Sequence, residues 1–287
     1  MSNLVERQKQ VGTLLQKRTS MINAMFRDEA EAKRFRAIAV SVASNNKLAV
    51  CSNDSIISCI MGIAQMRLSI DPNIGHAYVI PYQKKNKQGQ VEYTVAQLQV
   101  GYKGFIQLLY RAGWFVKAYP VYSCDKFSME FDNDTMAMKY NYEPNTTEQE
   151  DDNNEWVYKN LVGVLVVAKD ERGNTGTEFI NKKKIEKIRM KSDNQDNKTK
   201  PSYIWADWYE EMAKKTAIKK VAKTLALGDE RVALAIAVDD KIEGGKVIDV
   251  EKTFDEGVII ESEAVETPIE QKLNLNKTLN QQDEIKI

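Results

Sequence analysis

The sequence predicts an α+β fold, a compact and mainly antiparallel sheet with packed helices, because its hydrophobic period keeps changing along the chain. Apolar residues recur at spacings of three and four up to about Leu68, alternate from His76 to Tyr102, and return to helical spacing from Lys103. Turn-forming text supports the same reading. KKNKQGQ (84–90) and ERGN (171–174) each separate two alternating runs, as hairpin connections do.

Taken in order, residues 5–45 read as helical, with Phe26, Phe35, Ile38 and Val42 at helical spacing. Asn53 or Asp54 is placed to cap a second helix running to about Leu68, with Ile56, Ile57, Ile60, Ile63 and Ala64 as one stripe. HAYVIPY (76–82) and VEYTVAQLQVGY (91–102) form a hairpin. Gly101 and Gly104 bracket the switch into the helix KGFIQLLYRAG, which Gly113 ends. WFVKAYPVYS, KFSMEF and MAMKYNY are strand candidates, and the acidic, Asn-rich NTTEQEDDNNE (145–155) is an exposed loop. LVGVLVVAKD and TGTEFI make another hairpin, which leads into a basic helix from Asn181. A last helix spans 203–227.

Composition narrows the chemistry. At 287 residues and 43% hydrophobic content the chain can bury a sizeable core. Its apolar runs fall well short of the roughly 20 residues that span a bilayer, and MSNLVERQKQ carries charge where a signal peptide needs an apolar stretch. We therefore expect a cytoplasmic protein without a membrane partner. Cys51, Cys59 and Cys124 show no C-x-x-C pairing and read as small hydrophobes in a reducing compartment. The single His76 leaves little material for a histidine zinc site or a Ser-His-Asp triad. Neither the Walker nor the Rossmann glycine spacing occurs, which disfavours ATP-driven mechanisms. The carboxylates from Glu148 to Glu155 sit in a loop without positioning strands and read as solvated rather than metal-binding.

Charge is unevenly spread in a chain of zero formal net charge. From Lys182 to Lys223 there are 13 basic and 6 acidic residues, which suggests a polyanion-binding face. From Lys241 to Ile287 there are 11 acidic and 6 basic residues, which reads as a flexible acidic tail following a core of residues 1–240. That tail could compete for the basic face, present a segment to a partner, or simply be solvated.

Positions 205, 208, 212, 215, 219 and 223 share one helical face reading Trp, Trp, Met, Lys, Lys, Lys. Lys215, Lys219 and Lys223 are then expected to point together into solvent or a groove, spaced about 6 Å apart, where they could follow a phosphate backbone. A merely solvated face is the competing reading. Lys182, Lys183, Lys184, Lys187, Arg189 and Lys191 favour the phosphate reading. The tryptophans read as core anchors, because aromatics at helical spacing usually pack inward. Lys84, Lys85 and Lys87, with Tyr82 and Tyr93 at the base of their turn, could grip a single strand or form an ordinary solvated tip. Gly101-Tyr102-Lys103-Gly104 could place a phosphate at a helix start near Lys103 and Arg111, or be a packing turn alone.

AQMRLSIDPNIGHAYVIPY, AQLQVGYKGFIQLLYRAG, GTEFINKKKIEKIRM and WYEEMAKKTAIKKVAKTL stand in an order and spacing that resembles the RecT family of phage and prophage single-strand annealing recombinases, across roughly residues 20–240. The acidic loop at 145–155 and the tail depart from the family pattern. The resemblance implies a fold like the core of other annealing proteins. It implies homo-oligomers that form rings or helical filaments on DNA, and annealing of complementary single strands through a duplex intermediate. No ATP or other required cofactor is implied, with Mg²⁺ as a modulator of annealing. A phage exonuclease and a host single-strand-binding protein are the implied partners. Carried onto matching positions, the DNA face would include Tyr102, Lys103, Arg111, Lys187, Arg189, Lys214, Lys215, Lys219 and Lys223. Lys182, Lys84, Lys85 and Lys87 complete the candidate set, with no catalytic or metal-binding residue expected.

Overall fold

The computed structural model describes residues 2–243 apart from 87, 89, 135, 136, 193, 194, 196, 198, 226 and 227, all within one compact unit, Met1–Glu251. The helical stretch expected over residues 5–45 is divided among α1 (Ser2–Lys17), α2 (Thr19–Met25) and α3 (Glu29–Ala43). Phe26 turns extended after α2, and Asp28 restarts the chain by accepting the Glu31 N–H at 2.7 Å. The breaks let Val11, Leu15, Ile22 and Phe35 reach one core from three directions, with the Phe26 and Phe35 rings 5.0 Å apart.

That core is built around α4 (Asn53–Gln65), capped by Ser52 rather than by Asn53 or Asp54. Every residue from Ile56 to Ala64 is buried, so the expected stripe is in fact an apolar surface on all sides, as a central helix requires. The hairpin β1 (Ala77–Lys85) and β2 (Val91–Val100) pairs as expected, with a bulge between Lys84 and Lys85. α4 packs against β2, where the Ser55 hydroxyl accepts the Ala96 N–H at 3.0 Å. α5 (Tyr102–Arg111) follows directly and ends at Gly113, whose φ is 86°.

Among the described residues, seven strands pair antiparallel but fall into three sheets rather than one. β3 (Trp114–Tyr122), β6 (Leu161–Asp170) and β7 (Thr175–Asn181) form the largest, with β6 in the middle and its residues Val164, Leu165 and Val166 all buried. β4 (Lys126–Asp132) and β5 (Ala137–Glu143) form a separate hairpin, whose Phe127 ring lies 4.5 Å from that of Phe179. The acidic loop is tied down by Asp125, which accepts Asn145 N–H (2.9 Å) and the Gln149 amide (2.7 Å). It ends in a short helix that the sequence reading did not give, α6 (Asn154–Asn160), capped by Asn153.

α7 (Lys182–Arg189) is the expected basic helix. The expected helix over 203–227 is divided into α8 (Ile204–Asp207) and α9 (Tyr209–Leu225) by Trp208, whose φ and ψ of −140° and 47° are not helical. α9 packs against β3, β6 and β7 as well as α5, and is buried on more than one side. α10 (Glu230–Glu243), capped by Asp229, was not anticipated, because small apolar residues occupy nearly all its faces. It runs three residues into the stretch assigned to the acidic tail, the rest of which lies outside the described residues. No helix among the described residues is long and apolar enough to cross a membrane.

Candidate nucleic-acid interface

A cleft of about 560 Å³ opens where the start of α5 faces α8 and α9. Tyr78 and Ile80 line it from β1, Tyr102 and Lys103 from α5, and Ile204, Trp208 and Met212 from the opposite wall. Backbone demands explain the glycines of the Gly-Tyr-Lys-Gly turn. The Gly101 N–H donates to the His76 carbonyl at 2.9 Å, and a Cβ on Gly104 would land on that same oxygen, well inside 3.0 Å. The turn thus has a packing reason, and its consequence is to present Tyr102 and exposed Lys103 at the cleft mouth.

Trp208 corrects the sequence reading. Because the helix breaks at this residue, the two tryptophans do not share a face: Trp205 is 3% exposed, its ring 5.8 Å from that of Tyr209, whereas Trp208 is 62% exposed. Only the first is a core anchor. The signal available in the sequence was Glu210-Glu211, acidic residues that suit the first turn of a new helix at Tyr209. Burial, and then the Glu211 carboxylate, push the Tyr102 phenol pKa up. Burial, Arg111 and Lys103 together lower the pKa of His76 behind the turn, favouring its neutral form. The cleft therefore combines the aromatic side chains of Tyr78, Tyr102 and Trp208 with the exposed ammonium of Lys103, a combination suited to stacking nucleobases beside a phosphate.

The lysine row of α9 is not a solvent face, and this overturns the expectation for Lys215 and Lys219. They are 7% and 3% exposed and share Asp239 of α10, at 2.5 and 2.9 Å. Lys219 also reaches Asp240 at 3.1 Å, and Lys223 pairs with Asp240 at 2.7 Å while remaining exposed. Lys214 pairs with Glu210 and, at 3.5 Å, with Glu211; burial works against its charge, but these carboxylates hold its pKa above the usual value. The physical reason is α10, whose paired aspartates neutralise the row that the sequence left facing outward.

Arg189 is likewise a structural residue. Fully buried, it donates to both Glu186 oxygens (3.1 and 3.0 Å from Nε, 2.7 Å from Nη2), to Gln195 and to the Asn197 carbonyl. Tyr209 donates to the same Glu186 at 2.7 Å, which closes a buried polar network. Lys182 is held by the Tyr158 carbonyl and lies 4.6 Å from the Tyr158 ring centroid, and burial lowers its pKa. Lys183, Lys184 and Lys187 of α7 are exposed, as is Lys191 just past its end, so the basic character of this surface rests on these four.

Lys84 and Lys85 close β1 at the hairpin tip, where Asn86 accepts the Gln88 and Gln90 N–H groups at 3.0 and 2.9 Å; Lys87 lies outside the described residues. Arg111 stands at the far end of α5 from Lys103 and donates to the carbonyls of Arg67 (2.8 Å) and Met66 (3.3 Å). Among the described residues no group of three or more His, Cys, Asp and Glu is arranged to hold a metal ion.

The comparisons agree with the ordered text of the chain. The RecT family model matches residues 33–255. Protein RecT of Escherichia coli (strain K12) is 31% identical over 220 residues, covering 76% of this chain and 74% of that protein. The uncharacterized protein YqaK of Bacillus subtilis (strain 168) is 27% identical over 242 residues, 82% of this chain and 74% of that one. The central helix α4, the Gly-Tyr-Lys-Gly turn and the α7–α9 region all fall inside the matched span, and the chain belongs to the RecT family.

Proposed function

We propose that this RecT-family recombination protein binds single-stranded DNA without reading its sequence and anneals complementary strands without ATP, in homologous recombination of the phage type. The observation that carries the reading is the cleft in which Tyr78, Tyr102 and Trp208 offer aromatic surface beside Lys103. Stacking is sequence-tolerant because every base has a π face, and it contributes about 1–3 kcal/mol per base. The exposed lysines of α7 add non-specific attraction for phosphate.

Pairing supplies the driving force, since duplex stacking averages about 1.4 kcal/mol per step. The protein lowers phosphate repulsion, holds the strand extended and retains the nascent duplex. No covalent bond is made or broken, no nucleotide cofactor is needed, and Mg²⁺ acts as a modulator. The protein works as a homo-oligomer, for which the β4–β5 hairpin offers an apolar overhang of exposed Met129, Phe131 and Met138 on one face. A phage exonuclease supplies the single strands, and a host single-strand-binding protein is the second protein partner.

The test mixes complementary fluorophore- and quencher-labelled oligonucleotides with the protein, without nucleotide, against a protein-free control and a non-complementary pair. Accelerated quenching of the complementary pair alone supports annealing. Strand binding without acceleration reduces the protein to a coating factor, and the absence of both removes the nucleic-acid reading.

A further inference from the structure

The far end of α5 gathers arginines from four separate elements. Arg111 ends α5 and is fixed by the Arg67 and Met66 carbonyls at 2.8 and 3.3 Å. Arg67 follows α4 in a left-handed conformation, with φ of 51°, and its own Nε donates to the Met25 carbonyl. Exposed Arg27 lies two residues past Met25, and half-buried Arg231 stands in the first turn of α10, which packs against α5. These bonds position two guanidinium groups without neutralising them, because a carbonyl oxygen carries no net charge.

Among the described residues none of the four arginines forms an ion pair. Glu31, whose carboxylate accepts the Arg27 backbone N–H at 3.4 Å, is an acid that acts on Arg111. Burial and then Arg231, with Arg27 and Arg67, outweigh it and lower the pKa of Arg111. Like charges held together without counter-charges cost free energy, and a bound anion relieves that cost. Guanidinium groups match the oxygens of a phosphate in bidentate geometry.

We propose that Arg27, Arg67, Arg111 and Arg231 form a phosphate-binding site, separate from the aromatic cleft, that holds the phosphodiester backbone of the bound strand. The proposal rests on the single-strand-binding reading. Tyr102 and Lys103 occupy the opposite end of α5, about 15 Å away along a ten-residue helix. One strand can therefore place bases in the cleft and phosphates on the arginines.

The test compares the full chain with an Arg27→Gln/Arg231→Gln variant, because among the described residues neither side chain holds another part of the fold by a hydrogen bond or ion pair. Anisotropy of a labelled oligo-dT is recorded across a KCl series, alongside Arg27→Lys/Arg231→Lys and Trp208→Ala. The glutamine variant is expected to bind at least tenfold more weakly at low salt, with the log–log salt slope reduced by about 1.4, roughly 0.7 per phosphate contact on a single strand. The lysine variant keeps the slope, and Trp208→Ala weakens binding at unchanged slope. Wild-type affinity and slope in the glutamine variant overturn the arginine site while leaving the single-strand reading intact. If the wild-type protein binds no oligo-dT, that reading fails instead. Thermal stabilisation by tripolyphosphate then decides the site: stabilisation lost in the glutamine variant upholds phosphate binding, and none in the wild type overturns it.

Discussion

Lys215 Nζ lies 2.5 Å from one carboxylate oxygen of Asp239, and Lys219 Nζ lies 2.9 Å from the other, so a single buried aspartate holds two buried ammonium groups. The spacing of four places both lysines on the same side of α9, and the acidic pair of α10 meets them. Desolvating an ion costs several kcal/mol, which these mutual contacts must offset.

Removing the shared carboxylate should therefore be far more damaging than removing its neighbour. Asp239→Asn leaves two buried cations short of charge and is expected to cost about 3–5 kcal/mol. Asp240→Asn touches the Lys223 pair, which is nearly half exposed on both sides, and a Lys219 contact whose ammonium keeps Asp239, so it should cost no more than about 1 kcal/mol. Thermal melts of the two variants check this. An Asp239→Asn melting temperature equal to that of the unaltered protein would mean that the α9–α10 pairing contributes little to stability.

Acid should weaken the same contact. Burial alone would raise the Asp239 pKa, but Lys215 and Lys219 more than reverse it, so the folded value lies below the ordinary one. A depressed carboxylate contributes stability that is fully present above its unfolded pKa of about 3.9 and is lost as pH falls through the folded value. The melting temperature should drop on acidification below about pH 4, and Asp239→Asn should show a shallower drop. Parallel pH profiles for the two proteins would exclude this carboxylate as a source of the acid sensitivity.

The period changes that distinguish α4, the β1–β2 hairpin, α5 and β6–β7 were legible in the sequence because each is a local property. What sequence reasoning missed depends on how the chain folds back on itself, whether over a few residues or over twenty. Lys219 and Lys223 look like a solvent row until Asp239 and Asp240 are brought against them. Arg189 looks like part of a basic face until Glu186, Gln195 and Asn197 enclose it. Trp205 and Trp208 look equivalent on one ideal helix and separate only because the helix breaks between α8 and α9. The arginines at 27, 67 and 231 are isolated in sequence, so only the fold relates them to Arg111.

The two tryptophans give a paired test. Trp205→Ala empties a core position and should destabilise by about 3–5 kcal/mol. Trp208→Ala should leave the melting temperature nearly unchanged and weaken single-strand binding by about 1–3 kcal/mol, the contribution of one stacked base. Intrinsic fluorescence adds a second readout, since quenching by oligo-dT should come from Trp208. Unaltered binding in Trp208→Ala would remove the cleft from the strand path.

Gly104 tests whether the turn between β2 and α5 sets the cleft. Its Cβ would strike the His76 backbone carbonyl, which cannot move aside without shifting Gly75 and the start of β1. Gly104→Ala should therefore destabilise by about 1–3 kcal/mol, the usual range for overpacking a fixed backbone contact, although alanine is the better helix former. A gain in melting temperature would show that the loop at 75–76 yields, and that helix propensity governs the position.

The basic surface and the basic core should separate under mutation. Lys183 and Lys187 are exposed on α7, so Lys183→Ala/Lys187→Ala should fold normally, weaken binding for every sequence alike, and reduce the salt slope by about 0.7 for each lysine that contacts a phosphate. Lys215→Ala/Lys219→Ala instead strands Asp239 in the interior, and its first effect should be a lowered melting temperature with loss of the folded baseline. Measuring stability before affinity distinguishes the cases, because a binding defect in the second pair reports folding rather than contact. If the α9 pair proved stable yet flattened the salt slope, the two lysines would have to leave Asp239 for the strand, and the DNA face would extend beneath α10.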